Sequence, residues 1–265
     1  MIINLQHVSN ARDIGGIKTK YGTIQTNRLL RSGHLSIASA TDVATLKNIN
    51  LKRIIDLRTP TEIANHPDVA IPDVDYINIS IMSATTFGIS YETLNGAEIS
   101  VKLEAGIQRM INRGETPIEH MRILYKTFVN NEFSHVGYGN FLKTLANEPT
   151  DGATLWHCTG GKDRCGTCTA LLLHCLGASK EQIMQDYLLT NEQVMSHAES
   201  ILAKVRPHIP ADRLELVQSM LLVEESYLTS FWSEIEKLYG SVDAFITKCG
   251  VTEQEIEKLR ANYLI

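Results

Sequence analysis

The segment that most limits the fold of this chain is a short apolar run, Thr154 to His157, followed by a glycine-containing loop and the apolar helix predicted over Cys168 to Leu176. Gly177 comes next, at the position where a left-handed residue commonly ends a helix. A strand, a tight loop and a helix start in this order predict an anion site, because the unpaired backbone N–H groups of a helix N-terminus face the loop.

The loop places a cysteine and an arginine with five residues between them, from Cys158 to Arg164. Its two glycines permit positive φ angles and a close backbone approach, so successive N–H groups can form a concave nest. The planar guanidinium of Arg164 can hold two phosphate oxygens at once. The sequence therefore predicts phosphate as the ligand. The predicted phosphate-binding residues are Thr159, Gly160, Gly161, Lys162 and Cys165.

Cys158 is the predicted nucleophile of this loop. The helix dipole, the nest amides and the two loop cations favour a negative sulfur, and such settings lower a cysteine pKa from ~8.5 into the range ~3.5–7.5. A thiolate facing a phosphoryl group predicts in-line attack, a cysteinyl-phosphate intermediate and its hydrolysis by water. Arg164 and the amides would stabilise the transition-state charge. This chemistry requires neither a metal nor an organic cofactor, and we predict none.

The stretch His157 to Arg164 resembles the loop His-Cys-x-x-Gly-Lys-Asp-Arg of the bacterial tyrosine and dual-specificity phosphatases, the tyrosine phosphatase B-like branch of the cysteine-dependent phosphatases. Five further segments match that branch in order: 10–16, 28–35, 56–60, 186–191 and 239–241. The resemblance implies a phosphatase fold with a central mixed sheet flanked by helices. It implies activity on phosphotyrosine and, in some members, on phosphoserine, phosphothreonine or phosphoinositides. Some members also carry a helical lid.

Carried onto this chain, the resemblance makes Cys158 the nucleophile, Arg164 the phosphate clamp and Lys162 a second cation near the phosphate. Ordinary tyrosine phosphatases keep a general-acid aspartate on a separate loop, yet residues 80–86 contain none. Asp163, inside the loop itself, is therefore the predicted acid. Alternatively, its carboxylate bonds loop amides or pairs with Arg58.

Cys165 departs from the family pattern, which has a serine or threonine after the arginine to help the thiolate leave the intermediate. Three consequences stay open at this point. Hydrolysis of the intermediate is slowed, or Thr167 supplies the hydroxyl, or Cys165 forms a reversible disulfide with Cys158 that protects it from overoxidation.

The coarse pattern is that of an α/β protein with strands early and helices late. Predicted strands cover 23–30, 53–57, 76–79 and 154–157, the last two buried, and predicted core-facing helices cover 119–129 and 181–189. Pro207 and Pro210 mark a break, and Thr252 with Glu255 forms a capping-box signature. One phosphatase domain spans 1–265, with an insertion at about 83–114 that is either a lid or an ordinary surface helix.

A formal charge of −5 gives no general attraction to nucleic acid or anionic lipid, so the expected partners are a phosphorylated protein or a phosphoinositide substrate. No apolar stretch approaches the ~18 residues of a membrane span, and no signal peptide is recognisable at the N-terminus. We predict a cytoplasmic protein, with secretion by a signal-independent route left open. Five cysteines, an odd number, make a disulfide framework a poor fit.

Three other functions compete with a phosphatase. A catalytically impaired phosphate-binding module would explain the missing hydroxyl after Arg164. Cys165 and Cys168 form a C-x-x-C, as in thioredoxin-like dithiol proteins. His157 with the three nearest cysteines could bind zinc, although His157 and Cys158 should point to opposite faces of a strand.

Several flanking residues are interpreted as supports. We predict His157 to be a buried support of the loop and Arg12 with Asp13 to stabilise a turn. Asp56 and Arg58 either form a salt bridge or touch the loop.

Overall fold

The fold was analysed in a computed structural model that describes residues 1–83, 108, 110, 112–207 and 210–265. A five-stranded mixed sheet has the order β1-β4-β7-β5-β6, and a two-stranded ribbon pairs β2 with β3. The strands are β1 Arg12–Asp13, β2 Lys18–Thr19, β3 Gly22–Thr23, β4 Leu29–Ser32, β5 Leu51–Asp56, β6 Asp75–Asn78 and β7 Ala153–His157. Only β1 runs antiparallel to its neighbour in the large sheet. The predicted mixed sheet is confirmed.

The centre of the sheet is β7, which pairs in parallel with β4 on one side and β5 on the other. The register places Ser32, His157 and Asp56 side by side at the carboxyl ends of these strands. Ligands of parallel sheets bind at this edge. The loop predicted to hold phosphate leaves the sheet there.

Helices cover both flanks of the sheet and most of the C-terminal half, as predicted. Their bounds are α1 Ala40–Asn48, α2 Pro60–Asn65, α3 Pro117–Asn130, α4 Glu132–Asn147, α5 Asp163–Cys175, α6 Lys180–Val205, α7 Ala211–Leu221, α8 Glu225–Tyr239, α9 Val242–Lys248 and α10 Glu253–Tyr263. Twelve of the thirteen residues of α5 are buried. A helix buried on nearly all faces belongs inside the core, so α5 is fixed tightly behind the loop.

Most of the predicted elements are confirmed. Helices α3 and α6 contain the two predicted core-facing helices, and α6 ends before Pro207 while α7 begins after Pro210. The capping box of Thr252 is present at the start of α10. Gly177 follows α5 with φ +85°, the left-handed conformation expected there.

Three predictions about elements are wrong. The single strand over 23–30 is divided, because Asn27 adopts φ +57° and its N–H bonds the Asp13 carboxylate, so the sheet strand starts only at Leu29. Strand β6 lies at the sheet edge, and Tyr76 is 43% exposed rather than buried. Helix α5 starts at Asp163, five residues before the predicted Cys168, because the end of the loop is already helical.

The insertion predicted at about 83–114 lies almost wholly outside the described residues. Among the residues that the structure describes, none of the helices combines the length and apolar character needed to cross a bilayer.

Candidate active site

The loop between β7 and α5 runs from Cys158 to Lys162 and packs against the end of β4. Gly161 adopts φ +65°, and a Cβ there would lie 2.4 Å from the Ser32 carbonyl oxygen. Only glycine fits this position. The positive φ predicted for the glycine pair is therefore found at Gly161.

The carbonyl groups of the loop point outward. Asn10 Nδ2 donates to the carbonyl oxygens of Gly160, at 3.3 Å, and Gly161, at 2.8 Å. Arg31 Nη2 also donates to Gly161, at 2.8 Å. In a trans peptide the next N–H points opposite to the carbonyl, so the N–H groups of Gly161 and Lys162 face the inside of the loop. Two N–H groups are thus turned toward the inside of the loop, where the sequence predicts an anion nest.

Arg164 lies fully buried at the end of this loop. Its Nη1 and Nη2 donate to the two carboxylate oxygens of Glu62, at 2.7 and 2.8 Å, and Nη2 also donates to Thr159 Oγ1 at 3.1 Å. Burial alone would lower its pKa, but the charges of Cys158 and Glu62 raise it, so the guanidinium is permanently charged. Its Nε is buried and has no hydrogen-bond partner among the described residues. One edge of the fork therefore remains available to an anion.

Cys158 is 2% exposed at the start of the loop. Burial alone would raise the pKa of its thiol, but hydrogen bonds from the thiol and the backbone N–H of Cys165, together with the charge of Arg164, lower that pKa to about 5. The sulfur is thus a thiolate at neutral pH, the form that attacks phosphorus.

Asp163 and Lys162 are both buried, but their contacts differ from the predicted ones. Tyr125 donates its hydroxyl to Asp163 Oδ1 at 2.8 Å, and Tyr125 and Tyr187 share a hydroxyl hydrogen bond of 2.7 Å. Asp163 Oδ2 lies 3.4 Å from Lys162 Nζ, whereas Arg58 pairs with Asp56 and Asp68 rather than with Asp163.

Lys162 points away from the nest. Its Nζ donates to the carbonyl oxygens of Met220, at 2.5 Å, and Leu222, at 3.5 Å, where α7 ends. A cation at a helix C-terminus complements the helix dipole. In this arrangement the ammonium group is occupied at α7.

Cys165 and Thr167 separate the alternatives left open above. Burial, together with its interaction with the Cys158 sulfur, raises the pKa of Cys165 well above its ordinary value. The Cys165 thiol also lies within hydrogen-bond distance of the main-chain oxygens of Ser32, at 3.8 Å, and Trp156, at 3.9 Å. The hydroxyl of Thr167 donates to the carbonyls of Asp163 and Arg164, both at 3.2 Å, and accepts from Tyr138. The Thr167 hydroxyl is therefore bonded within its own helix and to Tyr138, whereas Cys165 interacts with Cys158.

The residues behind the nucleophile form an ionic cluster. His157 Nε2 lies 2.8 Å from Asp68 Oδ2, and its Nδ1 lies 3.9 Å from Asp56 Oδ1. Arg58 pairs with both aspartates, at 2.7 and 2.8 Å. Burial lowers the pKa of His157, but the two carboxylates raise it overall. The predicted burial of His157 and the predicted salt bridge between Asp56 and Arg58 are confirmed.

The geometry argues against the metal and dithiol alternatives. Asp56, Asp68 and His157 lie close enough to share an ion, but the Arg58 guanidinium already occupies both carboxylates. His157 faces these aspartates while Cys158 faces Cys165, so the predicted zinc set does not converge. Cys165 and Cys168 are fully buried, and burial raises the pKa of both, unlike a reactive dithiol.

Sequence reasoning missed several residues that hold the loop. They are Asn10, Arg31, Glu62, Asp68 and Tyr125. The sequence does indicate one contact of Glu62, because Thr59 and Glu62 have the capping-box spacing just after a predicted strand. That spacing indicates a helix start but not a bond to an arginine farther along the chain.

The chain thus combines a mixed sheet with a loop at its carboxyl edge that brings together a cysteine and a buried arginine. The family described as "Tyrosine phosphatase family" matches residues 3–265, and the chain belongs to it. It is an enzyme of the tyrosine and dual-specificity phosphatase class.

Three curated relatives align over most of their lengths. A Cupriavidus necator protein assigned as a tyrosine-protein phosphatase is 27% identical over 264 residues, covering 97% of this chain and 86% of the relative. The triple specificity protein phosphatase PtpB of Mycobacterium tuberculosis is 23% identical, covering 95% of each chain. A tyrosine-protein phosphatase of Nostoc commune is 25% identical, covering 89% of this chain and 74% of the relative.

Proposed function

We propose that this phosphatase hydrolyses phosphotyrosine through a cysteinyl-phosphate intermediate, with Cys158 as nucleophile, Arg164 as phosphate clamp and Asp163 as general acid. One observation carries the proposal: a thiolate with a pKa of about 5 shares a loop with a buried arginine whose Nε has no hydrogen-bond partner among the described residues. A tetrahedral phosphate group supplies acceptors for that Nε and for the inward N–H groups of the loop.

In the first step Cys158 Sγ attacks phosphorus in line with the ester oxygen. The S–P bond forms as the P–O bond to the substrate breaks, and Asp163 gives its proton to the departing oxygen. Arg164 and the loop N–H groups stabilise the charge on the equatorial oxygens, because they are fixed in a site shielded from water.

In the second step a water molecule attacks phosphorus and loses a proton to the Asp163 carboxylate. The P–S bond breaks, inorganic phosphate leaves and the thiolate of Cys158 returns. The hydrogen bond from Cys165 stabilises the departing thiolate, in the place of the hydroxyl found in the wider family. Thr159, Gly160, Gly161 and Cys165 contribute to the phosphate-binding loop, and Lys162 joins them only when its ammonium group leaves α7.

The substrate range extends to phosphoserine, phosphothreonine and phosphoinositide monoesters in this proposal. Its support is the similarity to PtpB, which is named a triple specificity phosphatase. All four substrate classes present the same terminal phosphate to the loop, so they differ only in the group that lies outside it.

The test compares turnover of p-nitrophenyl phosphate, a phosphotyrosine peptide, a phosphoserine peptide and a short-chain phosphoinositide, each with and without EDTA. We expect hydrolysis that is insensitive to EDTA and absent in Cys158→Ser, with a phosphoenzyme trapped by rapid quench. Phosphate binding without turnover would instead support the impaired binding module, and insulin reduction would support a dithiol protein.

A further inference from the structure

Beneath the phosphate loop lie two buried arginines and one buried aspartate, here called the charge triad: Arg12 on β1, Arg31 on β4 and Asp186 on α6. Arg12 Nε donates to Asp186 Oδ1 at 2.9 Å, and Arg31 Nη1 donates to Asp186 Oδ2 at 2.8 Å. Arg31 is 0% exposed. The triad therefore joins the first strand, an inner strand and a distant helix in one ionic contact.

Arg31 is the member that reaches the loop. While Nη1 binds Asp186, Nη2 donates to the Gly161 carbonyl at 2.8 Å and lies 3.5 Å from that of Lys162. Holding the Gly161 carbonyl outward directs the N–H of Lys162 inward, toward the nest. One planar guanidinium thus sets the direction of a peptide group that would bind phosphate.

Asn10 completes the same support from the other end of the triad. Arg12 Nη1 donates to Asn10 Oδ1, and Asn10 Nδ2 donates to the Gly161 carbonyl at 2.8 Å. Arg12 also donates to the main-chain oxygen of Asp186 and to the hydroxyl of Thr190, so its guanidinium is fixed against α6. Two chains of hydrogen bonds, one through Arg31 and one through Arg12 and Asn10, therefore run from Asp186 on α6 to the Gly161 carbonyl.

The triad carries one more positive charge than negative, since a guanidinium stays protonated in proteins. A buried, uncompensated cation favours an anion nearby, and its effect is large because water is excluded. The charge of Arg31 acts on this region, because it opposes the burial-driven rise in the pKa of Cys165 and of Cys168. The ammonium of Lys162, by contrast, is bound at the end of α7.

We propose that Arg31 is a positioning residue of the phosphatase reaction: it fixes the Gly161 peptide in the anion-binding orientation and supplies a buried positive charge beneath the loop, with Asp186 setting its direction. This inference rests on the proposed function only in taking phosphate as the ligand. It gives a role to three sequence segments that the chemistry of the loop had not used, the ones containing Arg12, Arg31 and Asp186.

Phosphate binding can be measured without turnover. Inorganic phosphate should slow the alkylation of Cys158 by iodoacetamide at pH 7, and the phosphate concentration that halves the rate gives the affinity. The rise in Tm with phosphate concentration measures the same binding without using the thiol. Both readings use the intact chain.

In Arg31→Lys the charge stays but the fork that spans Asp186 and Gly161 is lost, and we expect phosphate affinity to fall about tenfold. In Arg31→Met both are lost, and we expect about a hundredfold fall. Asp186→Asn increases the net charge of the triad but releases the Arg31 fork, and we expect weaker phosphate binding because the Gly161 peptide loses its fixed direction. The matched control is Arg28→Met, which removes a guanidinium that lies just before β4 and donates to the Thr150 carbonyl, and it should leave phosphate affinity unchanged.

Wild-type affinity for phosphate in both Arg31 variants would overturn the proposal, and so would tighter binding in Asp186→Asn. Should Arg31→Met fail to fold, Arg31→Lys decides the matter, because a purely structural loss lowers Tm without weakening phosphate binding by the folded fraction. A wild-type protein that neither binds phosphate nor hydrolyses its esters would refute the proposed function itself, which separates the two failures.

Discussion

Glu62 accepts hydrogen bonds from both terminal nitrogens of Arg164, at 2.7 and 2.8 Å, and leaves the Nε edge of the guanidinium for an anion. The same carboxylate accepts from Thr159 Oγ1 at 2.7 Å, so it also holds the second residue of the loop. A flexible arginine would lose rotamer freedom on binding phosphate. In this protein Glu62 already restricts the rotamers of Arg164 before phosphate binds.

Glu62→Gln should therefore weaken the clamp while keeping its shape. An amide presents one acceptor oxygen where the carboxylate presents two, so one of the bonds to Arg164 is lost and the rest lose their charge assistance. We expect kcat/KM for p-nitrophenyl phosphate to fall about 10- to 100-fold, mainly through KM. Steady-state kinetics and phosphate inhibition would measure the change.

The control for that variant is Asp42→Asn. Asp42 occupies the same third position in the capping box of α1 that Glu62 occupies in α2. Both changes should lower stability by about 1 kcal/mol through the cap. Only Glu62→Gln should lower kcat/KM, and equal kinetic losses in the two variants would contradict the role of Glu62 at Arg164.

The strand, the loop and the helix around Cys158 could be predicted from the sequence because their determinants are local. Cys158, the glycines and Arg164 lie within seven residues, and a strand before them and a helix after them fix the direction of the N–H groups. The partners of the loop could not be predicted in this way. Glu62 is 102 residues from Arg164 in the chain, and no pattern of periodicity joins them.

Lys162 illustrates the same limit. Its position in the loop predicts a contact with phosphate, yet its Nζ is bound by carbonyls 58 and 60 residues farther along. Those acceptors exist only because α7 ends there, which is a consequence of tertiary packing. The exposure of Tyr76 on the edge strand β6 was missed for a related reason, since β-branched composition does not distinguish an edge strand from a central one.

Cys165→Ala should raise the pKa of Cys158 above about 5. Burial already favours the neutral thiol, and the variant removes a donor that favours the thiolate while leaving the backbone N–H and Arg164 in place. Losing a hydrogen bond to a charged group corresponds to a rise of about 1 to 2 pH units. The pH dependence of Cys158 alkylation measures this midpoint.

Two further variants are controls for that measurement. Cys165→Ser restores a donor at the same place and should keep the midpoint near the wild-type value. Cys168→Ala removes another fully buried thiol of α5 and should not shift it by a comparable amount. An unchanged midpoint in Cys165→Ala would show that the thiol of Cys165 does not stabilise the thiolate.

Hydrogen peroxide should convert Cys158 and Cys165 into a reversible disulfide. The Cys158 thiolate attacks one peroxide oxygen to give a sulfenic acid and hydroxide, and the sulfur of Cys165 then attacks the sulfenic sulfur with loss of water. Wild-type activity should return with dithiothreitol, whereas Cys165→Ala should be driven to the irreversible sulfinic acid. Peptide mass mapping that shows no Cys158–Cys165 peptide in the oxidised wild type would contradict this expectation.

Asp163→Asn should discriminate between leaving groups. p-Nitrophenolate leaves without a proton, so the variant should keep kcat/KM for p-nitrophenyl phosphate, which reports formation of the intermediate, within about threefold of wild type, while kcat/KM for phenyl phosphate should fall about 100-fold or more. The ratio of the two kcat/KM values is the measurement, because kcat also includes hydrolysis of the intermediate, in which Asp163 acts as the base. Equal rates of variant and wild type on phenyl phosphate would remove Asp163 from the role of general acid.

Tyr125→Phe provides a partner for that experiment. It removes the hydroxyl that bonds Asp163 Oδ1 but leaves the carboxylate in place. Like Asp163→Asn, it should lower activity more on phenyl phosphate than on p-nitrophenyl phosphate, but by a smaller factor. In the double variant with Asp163→Asn it should cause no further loss. Independent, additive effects would mean that Tyr125 does not act through Asp163.

Stability should depend on pH through His157. Burial lowers its pKa, but Asp56 and Asp68 raise the pKa overall in the folded state, so the contribution of the imidazolium to stability is fully present below about pH 6.5 and is lost as the pH rises through the folded-state pKa. In Asp68→Asn the buried cation loses one carboxylate partner. We expect a loss of about 3 kcal/mol in the free energy of unfolding at pH 6 and a smaller loss as the pH rises and the imidazolium of His157 loses its proton.

Urea unfolding at pH 6, 7.5 and 9 measures that difference directly, because the other titrating groups of the protein contribute equally to both chains. Asp75→Asn is the control, since it breaks the exposed pair with Arg53, whose atoms lie 2.9 Å apart at the surface. Such a pair contributes at most about 1 kcal/mol, and its loss should be independent of pH over this range. An Asp68→Asn loss that is equally large at pH 6 and pH 9 would show that the stabilising contribution of Asp68 does not depend on the protonation of His157 over this range.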